Sequence, residues 1–260
     1  MYASSFVDAF PIWALYLTTA AAVLLSIEAG WRLGNWRRQR SKEEKDAPIG
    51  SAVGATLGLL AFLLAFTFGM AASRFDNRKQ IVLQEANAIG TTYLRTDFLP
   101  EVSRQEARNL LREYTALRAR GEASFMSPEG MSRASAIHDQ LWAIAANAEA
   151  SADTVATGLF IQSLKEMIDL DATRVTANRN RIPDSIWFML CVVAIFSMVD
   201  VGYQFGLTGA RSWAVTIILI LVFTPVFVLI ADLDRPQAGV VQVSQQALLD
   251  LLSKIGTPVP

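Results

Sequence analysis

From Gly50 to Ser73 the chain reads GSAVGATLGLLAFLLAFTFGMAAS, without one ionisable side chain. At about 1.5 Å rise per residue, a helix of that length covers the roughly 30 Å of a bilayer's hydrocarbon core. Gly50, Gly54, Gly58, Ala61, Ala65, Gly69 and Ala72 recur every three or four residues and make one stripe of small side chains. Lipid tails are as apolar as leucine. Helices in a membrane therefore associate by close approach, which small residues permit. The segment reads as a spanning helix with a surface made for another helix.

Bulk composition agrees with a chain partly in lipid. It is 52% hydrophobic and 18% charged, with a mean hydropathy of +0.32. A net charge of -1 gives no field directed at nucleic acid. No basic stripe with interleaved aromatics is present, so no nucleic-acid partner is expected. The sole cysteine, Cys191, lies in an apolar run, and the sole histidine is His138. Those two residues make a metal site of the usual type improbable, and a catalytic triad would need His138 as its base. GxGxxG, P-loop, GxSxG and HExxH patterns are missing. No catalytic residue, metal or cofactor is expected. The opening MYASSFVDAF lacks the basic region of a secretory signal.

Four spans are expected, two in a hairpin over 1–73 (about 11–29 and 50–73) and two over 185–231, the last interrupted by Pro225. Between the first two, WRLGNWRRQRSKEEKDAP reads as a charged loop. Residues 74–184 are polar but keep helical period, which predicts an extramembrane helical bundle. Its first helix continues span two from Arg74 to Phe98. The second has Pro100 in its first turn, with Val102, Leu110, Leu111, Tyr114 and Leu117 inward, and stops at Gly121. Ser127 caps the third, whose stripe is Met131, Ala134, Ile137, Leu141, Trp142 and Ala145. The fourth runs from about Asp153 to Ile182, with Leu159, Phe160, Leu164, Met167, Ile168 and Val175 inward. The tail, 232–260, holds a short amphipathic helix over Val243 to Ile255. The expected fold is an all-α integral membrane protein with a helical-bundle insertion between spans two and three.

Three blocks occur in order: EANAIGTTYLR after span two, GYQFGLTGAR after span three, and DLDRPQAGVVQVSQQALLDLL after span four. Together they resemble the bestrophin-like family of integral membrane proteins. The resemblance covers most of the chain from Gly50 onward. It implies an oligomer, pentameric by analogy with bestrophin anion channels, around a pore lined by span two. Span two here departs from bestrophins in having no proline; Phe62, Phe66 and Phe68 stand there instead. The acidic calcium clasp of bestrophins has no counterpart beyond Asp232 and Asp234.

Orientation is read two ways. Arg32, Arg37, Arg38, Arg40, Lys42 and Lys45 would keep the first loop cytoplasmic, and Arg211 agrees, which places the bundle outside. Arg74, Arg78, Lys79, Arg174, Arg179 and Arg181 flank the bundle and, with the bestrophin analogy, favour the opposite.

Candidate functional residues follow from the spans. Phe62, Phe66, Gly69 and Ser73 are pore or gate candidates, since a ring of phenyl groups can close a pore by dewetting. Gly50, Gly54, Gly58, Ala61 and Ala65 form the helix-contact stripe. Arg74, Asp76, Glu85, Asp200, Asp232, Asp234 and Arg235 are charges at span ends, either a pore mouth or ion pairs locking helices. Asp200 would pair with Arg32 or Arg211, and Asp232 or Asp234 with Arg74 or Arg235. Glu85 would face an aqueous vestibule or brace neighbouring helices. The expected partners are the bilayer, further copies of the chain and a permeant ion. A scaffold or sensor whose bundle binds a partner is the alternative.

Overall fold

The computed structural model describes residues 10–40, 49–151, 155–209, 211–236 and 239–256, and among them the regular structure is helical throughout. Lys42, Lys45 and Asp153 lie outside the described residues, as do the first nine positions of the N-terminal segment. Helices α1 (Ile12–Arg40), α2 (Ile49–Arg95), α3 (Glu101–Ala119), α4 (Glu122–Phe125), α5 (Pro128–Ser151), α6 (Val155–Arg179), α7 (Asp184–Thr208), α8 (Trp213–Asp234) and α9 (Gln246–Ile255) follow in order. Four helical stretches are long and apolar enough to cross a bilayer: Ile12–Arg40, Ile49–Phe98, Val155–Thr208 and Trp213–Asp234. The protein is an all-α membrane protein.

Two compact units divide the chain. The first comprises Met1–Ser73, Arg181–Arg235 and Gly239–Val241, the second Arg74–Asn180, Pro236–Ala238 and Gln242–Pro260. In the first unit α1 and α7 run side by side in the same direction. Gly30 and Gly34 of α1 and Gly202 and Gly206 of α7 bring the two backbones together. A Cβ on Gly202 would overlap the Ile27 carbonyl, and one on Gly30 would lie 2.8 Å from the Tyr203 nitrogen. This is the small-xxx-small contact of membrane helices, built from two pairs that the sequence reading passed over. It also corrects the extent of α1. The segment expected to be a charged loop is helical to Arg40, and Arg37, Arg38 and Arg40 complement the negative end of its dipole. Gly209, at φ 74°, ends α7 in a left-handed cap. The Ser212 hydroxyl then accepts from the Val215 N–H to start α8. Helix α8 stays continuous through Pro225.

In the second unit the latter half of α2 packs with α3, α5, α6 and α9 around one apolar core. Ile89, Leu111, Tyr114, Ile137, Leu141, Phe160, Leu164 and Leu248 are at its centre. Gly90 does not break α2, and the helix ends in a 3-10 turn over Thr96–Phe98. Ser127 caps α5 as expected, its hydroxyl accepting from the Gly130 N–H at 3.1 Å. Pro100 is the cap of α3 and not its first turn. The short α4 was not anticipated. Four residues expected inward are exposed: Val102, Met131, Trp142 and Leu159. In α5, Ile144 and Ala148 take the buried places, so the buried stripe keeps its period but is rotated by part of a turn. Helix α9 lays Leu248 and Ile255 onto the bundle, on α3.

Candidate functional site

The membrane half of α2 presents two unlike faces. Val53, Leu60, Leu64, Thr67 and Ala71 are buried. Ser197 of α7 donates from its hydroxyl to the Thr56 carbonyl at 3.1 Å, which fixes that face against α7. The small-residue stripe lies elsewhere. Gly50, Gly54, Gly58, Ala61, Ala65, Gly69 and Ser73 are exposed in the single chain. A Cβ at Gly54, Gly58 or Gly69 would meet nothing within 4 Å. Phe62 and Phe66 share this open side at 65% and 59% exposure. Of the four stretches, that of α2 is the least covered, with 17% of its apolar window buried.

The charges at the span ends divide by role. Glu28 of α1 holds Arg32 at 2.9 Å and Arg211 at 2.7 Å. The Arg211 guanidinium also lies over the rings of Trp31 and Trp213, an aromatic anchor of the kind found at the lipid boundary. The two arginines expected to serve Asp200 are therefore engaged by Glu28. Asp200 is half-buried and makes no ion pair among the described residues. It stands on α7 between Ser197, which bonds α2, and Gln204, whose amide nitrogen lies beside Gly50. At the other end of the spans, Asp232 accepts from the Val240 and Val241 N–H groups at 3.0 and 2.9 Å. Asp234 accepts from the Ile182 N–H at 3.0 Å and faces the Arg181 guanidinium at 3.7 Å. Arg235 donates to the Phe10 carbonyl at 2.8 Å. The DLDRP block thus stitches the start of α7 and the chain after α8 to the end of α8. Arg74 is half-buried and Asp76 exposed on α2.

Glu85 lies inside the second unit and is fully buried, as is Arg118. Its carboxylate takes the Arg118 Nε at 2.5 Å, the Tyr114 hydroxyl at 3.0 Å, and Arg174 on its other oxygen. Arg174 reaches on to Glu122 and to the Gln245 side chain at 2.7 Å. Asn178 donates to Glu122 at 2.7 Å, and Asp171 holds Arg118 at 3.1 Å. Burial pushes Glu85 up, but the two guanidiniums outweigh it and hold the carboxyl below its ordinary range. Burial raises the Tyr114 phenol well above its usual value. Glu85 comes from EANAIG and Gln245 from VSQQ, so Arg174 joins two of the sequence blocks. Arg118, Asp171, Glu122 and Gln245 were not singled out from sequence; Tyr114 was read only as an inward residue and Arg174 only as a charge bearing on orientation. A signal existed: Arg118 continues the buried phase of Leu111 and Tyr114, and Arg174 that of Phe160, Leu164 and Met167. A charge in phase with an apolar stripe needs a buried counter-charge.

GYQFGLTGAR has a geometric role as well, since Gly202 and Gly206 seat α7 on α1. Comparison with the curated proteins and with the solved structures gives no match. A family model described as a Bestrophin-like domain matches residues 20–248, which takes in the first span from Ala20 onward, the other three spans, the bundle, the first two blocks and the third as far as Leu248. The chain belongs to the Bestrophin-like family.

Proposed function

We propose that this protein is a homo-oligomeric, pentameric ion channel of the bacterial inner (plasma) membrane, with α2 lining or bracing a central pore. One observation carries the reading: the open side of α2, where glycine and alanine alternate with Phe62 and Phe66. Small residues exposed along a membrane helix gain little from lipid but allow close approach of a second helix. Around a symmetry axis, Phe62 and Phe66 would form stacked apolar rings able to dewet and close a pore. Family membership supports a channel-like activity over catalysis. The charged end of α1 favours an orientation with the bundle outside the cytoplasm, which an active C-terminal alkaline-phosphatase fusion would support.

The test is conductance. The purified protein in planar bilayers should give discrete current steps, with open probability raised by Phe66→Ala. Silent bilayers across salts, pH and voltage, with intact protein present, overturn the reading. A second reading is a non-conducting scaffold or sensor. The exposed Leu94, Phe98 and Val102 (83% exposed) on the second unit favour it, because they suit a protein partner. Stoichiometry separates the two. A monomer or dimer in native lipid discs leaves no central pore and supports the scaffold.

A further inference from the structure

Within the first unit a slot of about 300 Å³ opens between α1, α7 and α8. That volume is at the lower end of the range for small-molecule sites. The slot runs along α1 from Leu15 to Ser26 and along α7 from Trp187 to Met198, with Phe227 of α8 closing one side. Eleven residue steps along each helix, at a rise of about 1.5 Å each, make it roughly 16 Å long and parallel to the helix axes. Two of its three hydroxyls are spent on their own helix, Thr18 donating to the Ala14 carbonyl and Ser26 to the Ala22 carbonyl; the third belongs to half-buried Thr19. The slot wall is therefore apolar. One polar group on the slot is both buried and without a partner. Trp187 is 4% exposed, and its Nε1–H, itself shut off from solvent, has no acceptor among the described residues. The Nε1 atom is closed to solvent in this conformation, and a buried donor left without an acceptor costs about 1–3 kcal/mol, so the unmet bond favours an opening of the slot that brings an acceptor to it. Trp187 sits in the first turn of α7, next to Asp184, at the depth where indoles meet the lipid–water boundary.

We propose that the slot holds one acyl chain of a membrane phospholipid, whose ester carbonyl accepts the Trp187 Nε1–H. A narrow apolar channel along the bilayer normal, with one donor at its interfacial end, matches an acyl chain capped by an ester. A fatty-acid carboxylate is a poorer fit, because no cation lines the slot. The proposal needs only the membrane setting and is independent of conduction.

The test uses the full chain, purified in detergent, stripped of lipid and titrated with phosphatidylglycerol carrying a dibrominated acyl chain. Bromine quenches nearby indoles. The expected result is saturable quenching at one lipid per chain, with that component lost in Trp187→Phe. Native mass spectrometry should show one retained phospholipid. Trp187→Phe, which keeps an aromatic ring but removes the donor with the pyrrole half of the indole, should weaken retention at least about fivefold, the effect of one ordinary hydrogen bond. Ala194→Trp should fill the slot and abolish retention. Quenching that rises without saturation, retention unchanged by both substitutions, or displacement of the phospholipid by equimolar oleate would each overturn the proposal. Should Ala194→Trp fail to fold, the Trp187→Phe affinity decides.

Discussion

Gly202 lies so close to Ile27 that a Cβ placed on it would be 2.8 Å from the Ile27 carbonyl carbon and would overlap the oxygen. Backbone cannot move aside as a side chain can, so this contact sets the distance between α1 and α7. Gly202→Ala should destabilise the protein by about 1–3 kcal/mol through overpacking. Gly58→Ala, on the open side of α2, should change the stability of a single chain by less than ~0.5 kcal/mol. Thermal unfolding in detergent, read by loss of monodispersity, checks the contrast. Equal effects of the two substitutions would contradict it.

The Glu85 network gives a different kind of prediction. An intact buried ion pair is weak evidence for stability, but removing one partner strands the others. Glu85→Gln should cost about 3–5 kcal/mol, because Arg118 and Arg174 lose their shared carboxylate. Arg174→Met should cost a similar amount, and the double variant less than their sum. Denaturant titration of the four proteins closes the cycle, and strict additivity would show that the two side chains do not act as a unit.

Acidification should weaken the bundle in two stages. His138 is half-buried, its ring 5.0 Å from that of Tyr114. Burial lowers its pKa, with Arg118 adding to the effect, and together they outweigh the pull of Asp171, Glu85 and Asp139 in the other direction. The unfolded chain therefore binds the proton first. Stability is full above about pH 6.5 and falls as the pH drops through that value toward the depressed folded pKa. Glu85 is also depressed, so its share persists above about pH 4.5 and is lost below it. Melting temperatures from pH 8 to 2 should show both declines. His138→Gln should flatten the first and leave the second.

Asp200 offers a prediction about ions. Its carboxylate has no ion pair among the described residues, so Asp200→Asn should leave folding within about 0.5 kcal/mol of the parent. If the carboxylate faces permeant ions, the same substitution should shift the reversal potential toward greater anion preference. A shift measured in asymmetric salt, with unchanged melting, assigns Asp200 to the ion path. Unchanged selectivity removes it from that path.

Much of the fold was readable from residue order. The uncharged run from Gly50 to Ser73, the Ser127 cap and the period of Leu111, Tyr114, Phe160 and Leu164 each rest on near neighbours in the chain. The candidate site was less readable. The GSAVGATLG stripe and the Gly30–Gly34 and Gly202–Gly206 pairs look alike as strings. Only the second set meets another backbone within the chain.

What residue order determined by itself is which segments are helical, which of them suit lipid, and where the small or apolar face of each lies. Those properties depend on spacings of three and four residues. Tertiary structure alone decided which face meets which neighbour. Glu85 finds Arg118 at a separation of 33 residues and Arg174 at 89, and Arg32 and Arg211 converge on Glu28. A helical period fixes the direction of a side chain about its own axis. Its partner is fixed only when another helix arrives at that azimuth and depth, and the desolvation of buried charge then demands that the two match.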